Sequence, residues 1–218
     1  IVLNLSKISI RSSDSDRNEW NHSNHSINSG LFPIDHTLQM ITELHQAYTD
    51  KVEALNIKPS ARRLLVSIEK QTLSLIENNQ TLIKYMVSTG LKPPSNIDGS
   101  GGTPLGLHQI RNKIGDGAVM GEVFKGRVRI DKRYHDLDPA EQKLNLITTR
   151  ILWLEGLEPG FNKGEDCDSY SRFIYIHGTN HENRIGRPAS GGCIQLSNID
   201  MLTLYNSVED GDHVFIYE

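Results

Sequence analysis

Apolar residues recur along this chain with two different spacings, and each predicts a different kind of element. Between residues 33 and 58, Ile34, Leu38, Ile41, Leu44, Tyr48, Val52 and Leu55 return every three or four positions, the repeat of a helix with one buried stripe. Pro33 suits the first turn of that helix, and Lys58-Pro59 stops it. The helix either packs on the rest of the chain or serves a partner; its pattern allows both. His36 and His45, on or beside it, read as ordinary surface or packing residues.

From residue 60 onward the pattern shortens to alternation or to short apolar runs, which predicts strands. These are expected over 63–69, 72–76 and 81–87, the last two flanking Glu77-Asn78-Asn79-Gln80, a turn made of residues that tolerate positive φ. A Pro/Gly-rich surface loop over 91–106 precedes further strands near 107–110, 124–130, 148–154 and 172–176. Asp138-Pro139-Ala140-Glu141 reads as a short helix or turn. Ser197 followed three residues later by Asp200 resembles a capping box and opens a helix carrying Ile199, Leu202, Tyr205 and Val208, before a last strand over 213–217. Many short strands with few helices predict a mainly β (α+β) fold, a barrel or sandwich with helices at its edge and a helical appendage at the N-terminal side.

Ahead of the helix the pattern disappears. Residues 11–30 are rich in Ser, Asn, Asp and His without apolar periodicity, so 1–32 is expected to be a polar, flexible segment. His22 and His25 lack a carboxylate or thiol cluster that would complete a metal shell. The division expected is therefore 1–32 tether, 33–58 helix and linker, and 60–218 the main domain.

Composition narrows the function classes. The 218 residues carry 23 Lys plus Arg against 27 Asp plus Glu, a net charge of −4, which argues against nucleic-acid binding through a basic surface. No apolar run approaches the roughly 20 residues that a membrane-spanning helix needs. The chain begins at Ile1, so an export signal, if the protein has one, is expected upstream. Two cysteines, Cys167 and Cys193, are too few for a disulfide framework or a four-cysteine zinc site.

Those two thiols differ in their surroundings. Cys193 follows Ser190-Gly191-Gly192, and two glycines before a thiol allow close backbone approach and leave amide N–H groups uncovered. Sixteen residues earlier, His177 falls at the end of a predicted strand whose period places Phe173, Tyr175 and His177 on one face. A thiol nucleophile needs such a base and such donors. Cys167 sits among Glu165, Asp166 and Asp168, which would suppress a thiolate, whereas a thiolate–imidazolium pair is expected at Cys193, which should therefore alkylate much faster than Cys167 at neutral pH. His177 and His181 form an H-x3-H pair, but Gly178 breaks any helix there and no metal-binding glutamate accompanies them, so no metal is expected.

The stretch from His177-Gly178 to Ser190-Gly191-Gly192-Cys193-Ile194 resembles the active-site signature of the L,D-transpeptidase (YkuD-type) catalytic domain. The likeness extends back through Val87-Ser88-Thr89-Gly90 and Thr103-Pro104-Leu105-Gly106 and forward to Val214-Phe215-Ile216, covering about residues 60–218. The resemblance implies a secreted bacterial enzyme of the periplasm or cell envelope that remodels peptidoglycan without a cofactor. Cys193 would attack the carbonyl of the third stem residue, usually diaminopimelate, and release D-alanine. The acyl-thioester would then pass to a second stem's amine or a protein lysine, such as that of a lipoprotein. His177 would be base and later acid, Gly192 would orient the imidazole, and N–H groups around Gly192 and Cys193 would receive the oxyanion. Carbapenem-type inhibitors are expected to acylate the same sulfur.

Two positions depart from the family pattern. Many relatives carry histidine where Gly191 stands, and most carry arginine where Gln195 stands. Gln195 shares strand parity with Cys193 and is expected to face the site, offering a neutral amide where a charged fork would grip a carboxylate. Arg184 or Arg187 could compensate, or both are solvated loop charges. Ser190 and Tyr175 are further candidates for the substrate pocket, Tyr175 with core packing as its alternative, whereas Trp153 reads as packing. Two other functions remain open on the same residues: a hydrolase such as an L,D-carboxypeptidase or amidase, and a weakened peptidoglycan-binding module suggested by Gln195.

Overall fold

The computed structural model describes residues 36–218. The predicted tether and its His22/His25 pair lie outside the described residues. In chain order the elements are α1 (His36–Ala54), β1 (Arg62–Ser67), β2 (Thr72–Glu77), β3 (Gln80–Met86), β4 (Gly106–Ile114), β5 (Glu122–Lys125), β6 (Val128–Arg133), α2 (Pro139–Gln142), β7 (Ile147–Gly156), β8 (Tyr175–Thr179), β9 (Ile194–Leu196), α3 (Asn198–Ser207) and β10 (His213–Tyr217). The fold is mainly β with few helices, as the strand-rich pattern predicts.

All ten strands of the described residues join one sheet. Its main path runs β3-β2-β1-β10-β4-β7-β5-β6, and β8 branches from β7 and carries β9 on its far side. The branch folds the sheet around a single core. Leu64, Val66, Leu73 and Leu75 from one end meet Leu152, Leu154, Ile176, Ile194 and Leu196 from the other, with Met201, Leu204 and Tyr205 of α3 among them. β1 and β10 pair in parallel, Leu64 beside Val214 and Leu65 beside Phe215. Alternate residues of a strand point to opposite faces, so Leu65, Phe215 and Leu107 face away from that core. There Tyr48 and Val52 of α1 cover them. The helix is thus docked on the outer face, where the Tyr48 hydroxyl meets His213 Nδ1 at 2.9 Å and accepts the Ser60 N–H at 3.0 Å. Burial on both faces explains why β1 and β10 read as unbroken apolar runs.

Three local expectations change. The single strand expected over 124–130 is a hairpin, β5–β6, turned at Gly126 and Arg127 with φ of 55° and 68°. The strand near 107–110 continues to Ile114 across an irregularity between Ile110 and Asn112. The strand expected to start at 172 begins at Tyr175, because Phe173 adopts φ 57° and its N–H closes a turn onto Tyr170 O. Phe173 therefore leaves the strand face and is half exposed. The α3 cap is as expected: Ser197 Oγ accepts the Asp200 N–H at 3.2 Å.

Candidate active site

β8 and β9 run parallel, with Ile176 beside Ile194 and His177 beside Gln195. One step back along that register sets Cys193 beside Tyr175. Tyr175, His177, Cys193 and Gln195 thus share one face of two adjacent strands, with thiol and imidazole as diagonal neighbours. Among the described residues the Sγ of Cys193 has two hydrogen-bond partners: it accepts the Tyr175 N–H and donates to Phe173 O, both at 3.4 Å. The imidazole makes its bond elsewhere. Nδ1 of His177 lies 2.7 Å from Gly178 O, and a carbonyl can only accept, so Nδ1 carries the proton and Nε2 presents its lone pair. No hydrogen bond joins sulfur and ring in this state, and such bonds often tighten only when substrate enters.

Burial sets the charge state of both groups. It pushes the Cys193 thiol up to about 11, although the Tyr175 N–H and the Arg172 charge pull the other way. It lowers His177 to about 4, against a small opposing effect of its bond to Gly178. Desolvation disfavours whichever form is charged, so the resting site holds a neutral thiol and a neutral imidazole rather than an ion pair.

The Ser-Gly-Gly-Cys loop is held by the segment between β3 and β4. Gly192 adopts φ 124°, a region open essentially to glycine, and a Cβ there would lie 3.1 Å from Gly102 O. Thr103 Oγ1 donates to Gly192 O at 2.9 Å while accepting the Gly90 N–H at 2.8 Å. Ser88 exchanges two backbone bonds with Gln195, and Thr89 O accepts the N–H groups of Ala189 and Ser190. Val87-Ser88-Thr89-Gly90 and Thr103 are therefore the frame that fixes the sulfur, a role their distance in sequence gave no local sign of.

That frame reassigns several candidates. Gly192 is the group expected to orient the imidazole; here the ring bonds Gly178 O, and the Gly192 carbonyl accepts Thr103 Oγ1. Its N–H is not free for an oxyanion, since it donates to Ser190 Oγ at 3.1 Å. Ser190 is buried and its hydroxyl also bonds Cys193 O, so it staples the loop instead of meeting substrate. Gln195 is 2% exposed and donates to Asn145 Oδ1 at 3.0 Å, so its amide is already engaged beside His177. Gly191 is exposed with open space at its Cβ position. Arg187 is exposed and its guanidinium donates to Asn183 O at 3.5 Å; Arg184 lies in the 3-10 turn Glu182–Arg184, and among the described residues no hydrogen bond joins either side chain to Cys193 or His177.

Tyr175 is buried beside Cys193 and sits edge-on to Trp153, ring centres 5.6 Å apart. Its hydroxyl accepts an N–H of Arg127 at 3.1 Å. Two arginines that the sequence reading passed over therefore border the site. Arg172 is spent on Ser95 O, Ser100 Oγ and Gly102 O, tying the 91–106 loop to the thiol side. Arg127 reaches in from the β5–β6 turn. A Gly-Arg turn between two apolar segments was the only signal available for it. Among the described residues no group of three or more His, Cys, Asp or Glu is placed to hold a metal ion, and no helix is long and apolar enough to cross a membrane.

Residues 61–216 match the family model described as the L,D-transpeptidase catalytic domain. No curated protein matches the sequence significantly. Similar solved structures include an L,D-transpeptidase from Mycobacterium smegmatis, with TM-score 0.46 and 16% identity over 72% of this chain and 59% of that one. Another is from Xylanimonas cellulosilytica, with TM-score 0.46 and 18% identity over 78% of this chain and 69% of that one. A third is L,D-transpeptidase 3 from Mycobacterium tuberculosis in complex with a faropenem-derived adduct, with TM-score 0.46 and 16% identity over 72% and 60%. The chain thus spans about three fifths of the length of two of these three.

Proposed function

Because the chain belongs to the L,D-transpeptidase catalytic domain family, we propose that it transfers acyl groups of peptidoglycan stem peptides in the bacterial envelope through Cys193. In this reading Nε2 of His177 accepts the thiol proton as Sγ bonds to the carbonyl carbon of diaminopimelate. The C–N bond to D-alanine breaks, the leaving amine takes the proton from the imidazolium, and an acyl-thioester remains. An incoming amine, from a second stem or from a protein lysine, repeats the steps in reverse. The Cys193 N–H is the oxyanion donor, since the Gly192 N–H is committed to Ser190.

The observation that carries this reading is the tautomer: an imidazole locked by Gly178 O with its basic nitrogen free, on the same strand face as the thiol. The neutral resting pair suits general-base catalysis, in which the proton moves as the sulfur attacks. The weakened-binder alternative rested on Gln195, and a buried glutamine that braces Asn145 gives it no support. Intact-protein mass spectrometry after incubation with a tetrapeptide stem or a carbapenem tests the proposal. One adduct, absent in Cys193→Ala, is expected; an unmodified protein under both conditions refutes it. Muropeptide products formed with and without an amine acceptor separate transpeptidation from hydrolysis.

A further inference from the structure

A stem peptide presents carboxylates beside the bond that breaks, and the glutamine in place of the usual arginine is neutral, buried and already bonded to Asn145. A carboxylate brought to a half-buried site without a cation would lose its hydration with little in return. The structure places one suitable cation there. The guanidinium of Arg127 lies 4.6 Å from the centre of the Trp153 ring and 4.9 Å from that of Phe173, and gives one N–H to the Tyr175 hydroxyl. The backbone of the same two residues, Phe173 and Tyr175, holds the sulfur of Cys193. Trp153 is itself fixed by stacking on Tyr170 at 3.9 Å and by Nε1 donating to Tyr170 O at 3.0 Å.

Among the described residues Arg127 pairs with no carboxylate, unlike Arg129 two residues on, which is engaged by Glu122. Aromatic faces hold a guanidinium without consuming its donors, so four of its five N–H groups stay available. Gly126 and Arg127 both adopt left-handed φ, of 55° and 68°, at the turn that carries this guanidinium.

We propose that Arg127 is the specificity residue for an anionic acyl donor: it binds a carboxylate of the stem peptide next to the scissile carbonyl, the role Gln195 cannot fill. This rests on the acyl-transfer reading for the identity of the ligand, but its test does not need turnover. In full-length Cys193→Ala protein, binding of a tetrapeptide stem with a free C-terminal carboxylate is compared with its C-terminal amide by calorimetry, with and without Arg127→Gln or Arg127→Lys. The acid is expected to bind about tenfold more tightly than the amide, the scale of a charge-assisted pair. Arg127→Gln should erase that preference and Arg127→Lys keep part of it, while thermal unfolding stays unchanged. Equal binding of acid and amide, or a preference that survives Arg127→Gln, overturns the assignment. A preference that behaves as expected in a protein whose intact Cys193 form never acylates would instead leave Arg127 in place and refute the enzyme.

Discussion

The two thiols of this chain share a neighbouring charge and little else. The Arg172 guanidinium interacts with both Cys193 and Cys167. Cys167 is buried in a 3-10 turn with its Sγ bonded to Gly164 O at 3.0 Å. Cys193 is half-buried at the end of a glycine pair, with a base on the adjacent strand and open space at Gly191. A nearby cation alone therefore does not single out a nucleophile. What separates the two is access, plus a proton acceptor held in the right tautomer.

Replacement of each thiol sharpens that contrast most. Cys193→Ala should abolish acylation by a stem peptide or carbapenem, a loss on the order of 10⁶-fold if nucleophile and base act as a unit. Cys167→Ala should leave the rate within about twofold, measured by adduct formation over time. A smaller effect follows from the base: His177→Gln should slow acylation by roughly 10² to 10⁴-fold while the fold persists.

Alkylation probes the charge state. With its thiol at about 11, Cys193 should react with iodoacetamide slowly at pH 7 and about tenfold faster for each pH unit up to 10, yet still before the buried Cys167. A rate already at plateau by pH 6 would mean that the resting site is an ion pair after all.

The adjacent glycines give a finer comparison. Gly192→Ala forces a side chain into φ 124° and to 3.1 Å from Gly102 O, which should cost about 1–3 kcal/mol and lower the melting temperature by several degrees. Gly191→Ala meets nothing within 4 Å and should unfold with the parent. Acid offers the last handle. Burial depresses both His177 and His108 to about 4, so the unfolded chain binds their protons first. Their contribution is whole above about pH 6.5 and is lost as pH falls toward 4, up to roughly 3 kcal/mol each. A melting temperature flat from pH 7 to 4 would contradict this.

The regions that were legible in the sequence are those where a local pattern has one structural solution. The α1 repeat, the apolar runs of β1 and β10, the Ser197 cap and the motif around His177 and Cys193 all belong to this class. Less legible were the β5–β6 turn and the start of β8. Both depend on non-glycine residues at positive φ, Arg127 and Phe173, for which residue type gives no warning. Period-two reasoning placed His177 and Tyr175 on one face correctly, but it carried Phe173 along with them and assumed that sharing the parity of Cys193 meant facing the substrate.

By itself, the sequence determined the family, the mainly β class and the thiol and imidazole that could do chemistry, because these depend on residue type and short spacing. Only the tertiary structure decided which backbone groups were still free to act. Each carbonyl, N–H and side-chain amide has few bonds to give: Thr103 had already claimed the carbonyl of Gly192, Ser190 its N–H, and Asn145 the side-chain amide of Gln195. The same folding carried Arg127, 66 residues before Cys193 in the chain, to the aromatic wall beside the sulfur. That contact is made by sheet topology across β5, β7 and β8, and no local pattern encodes it.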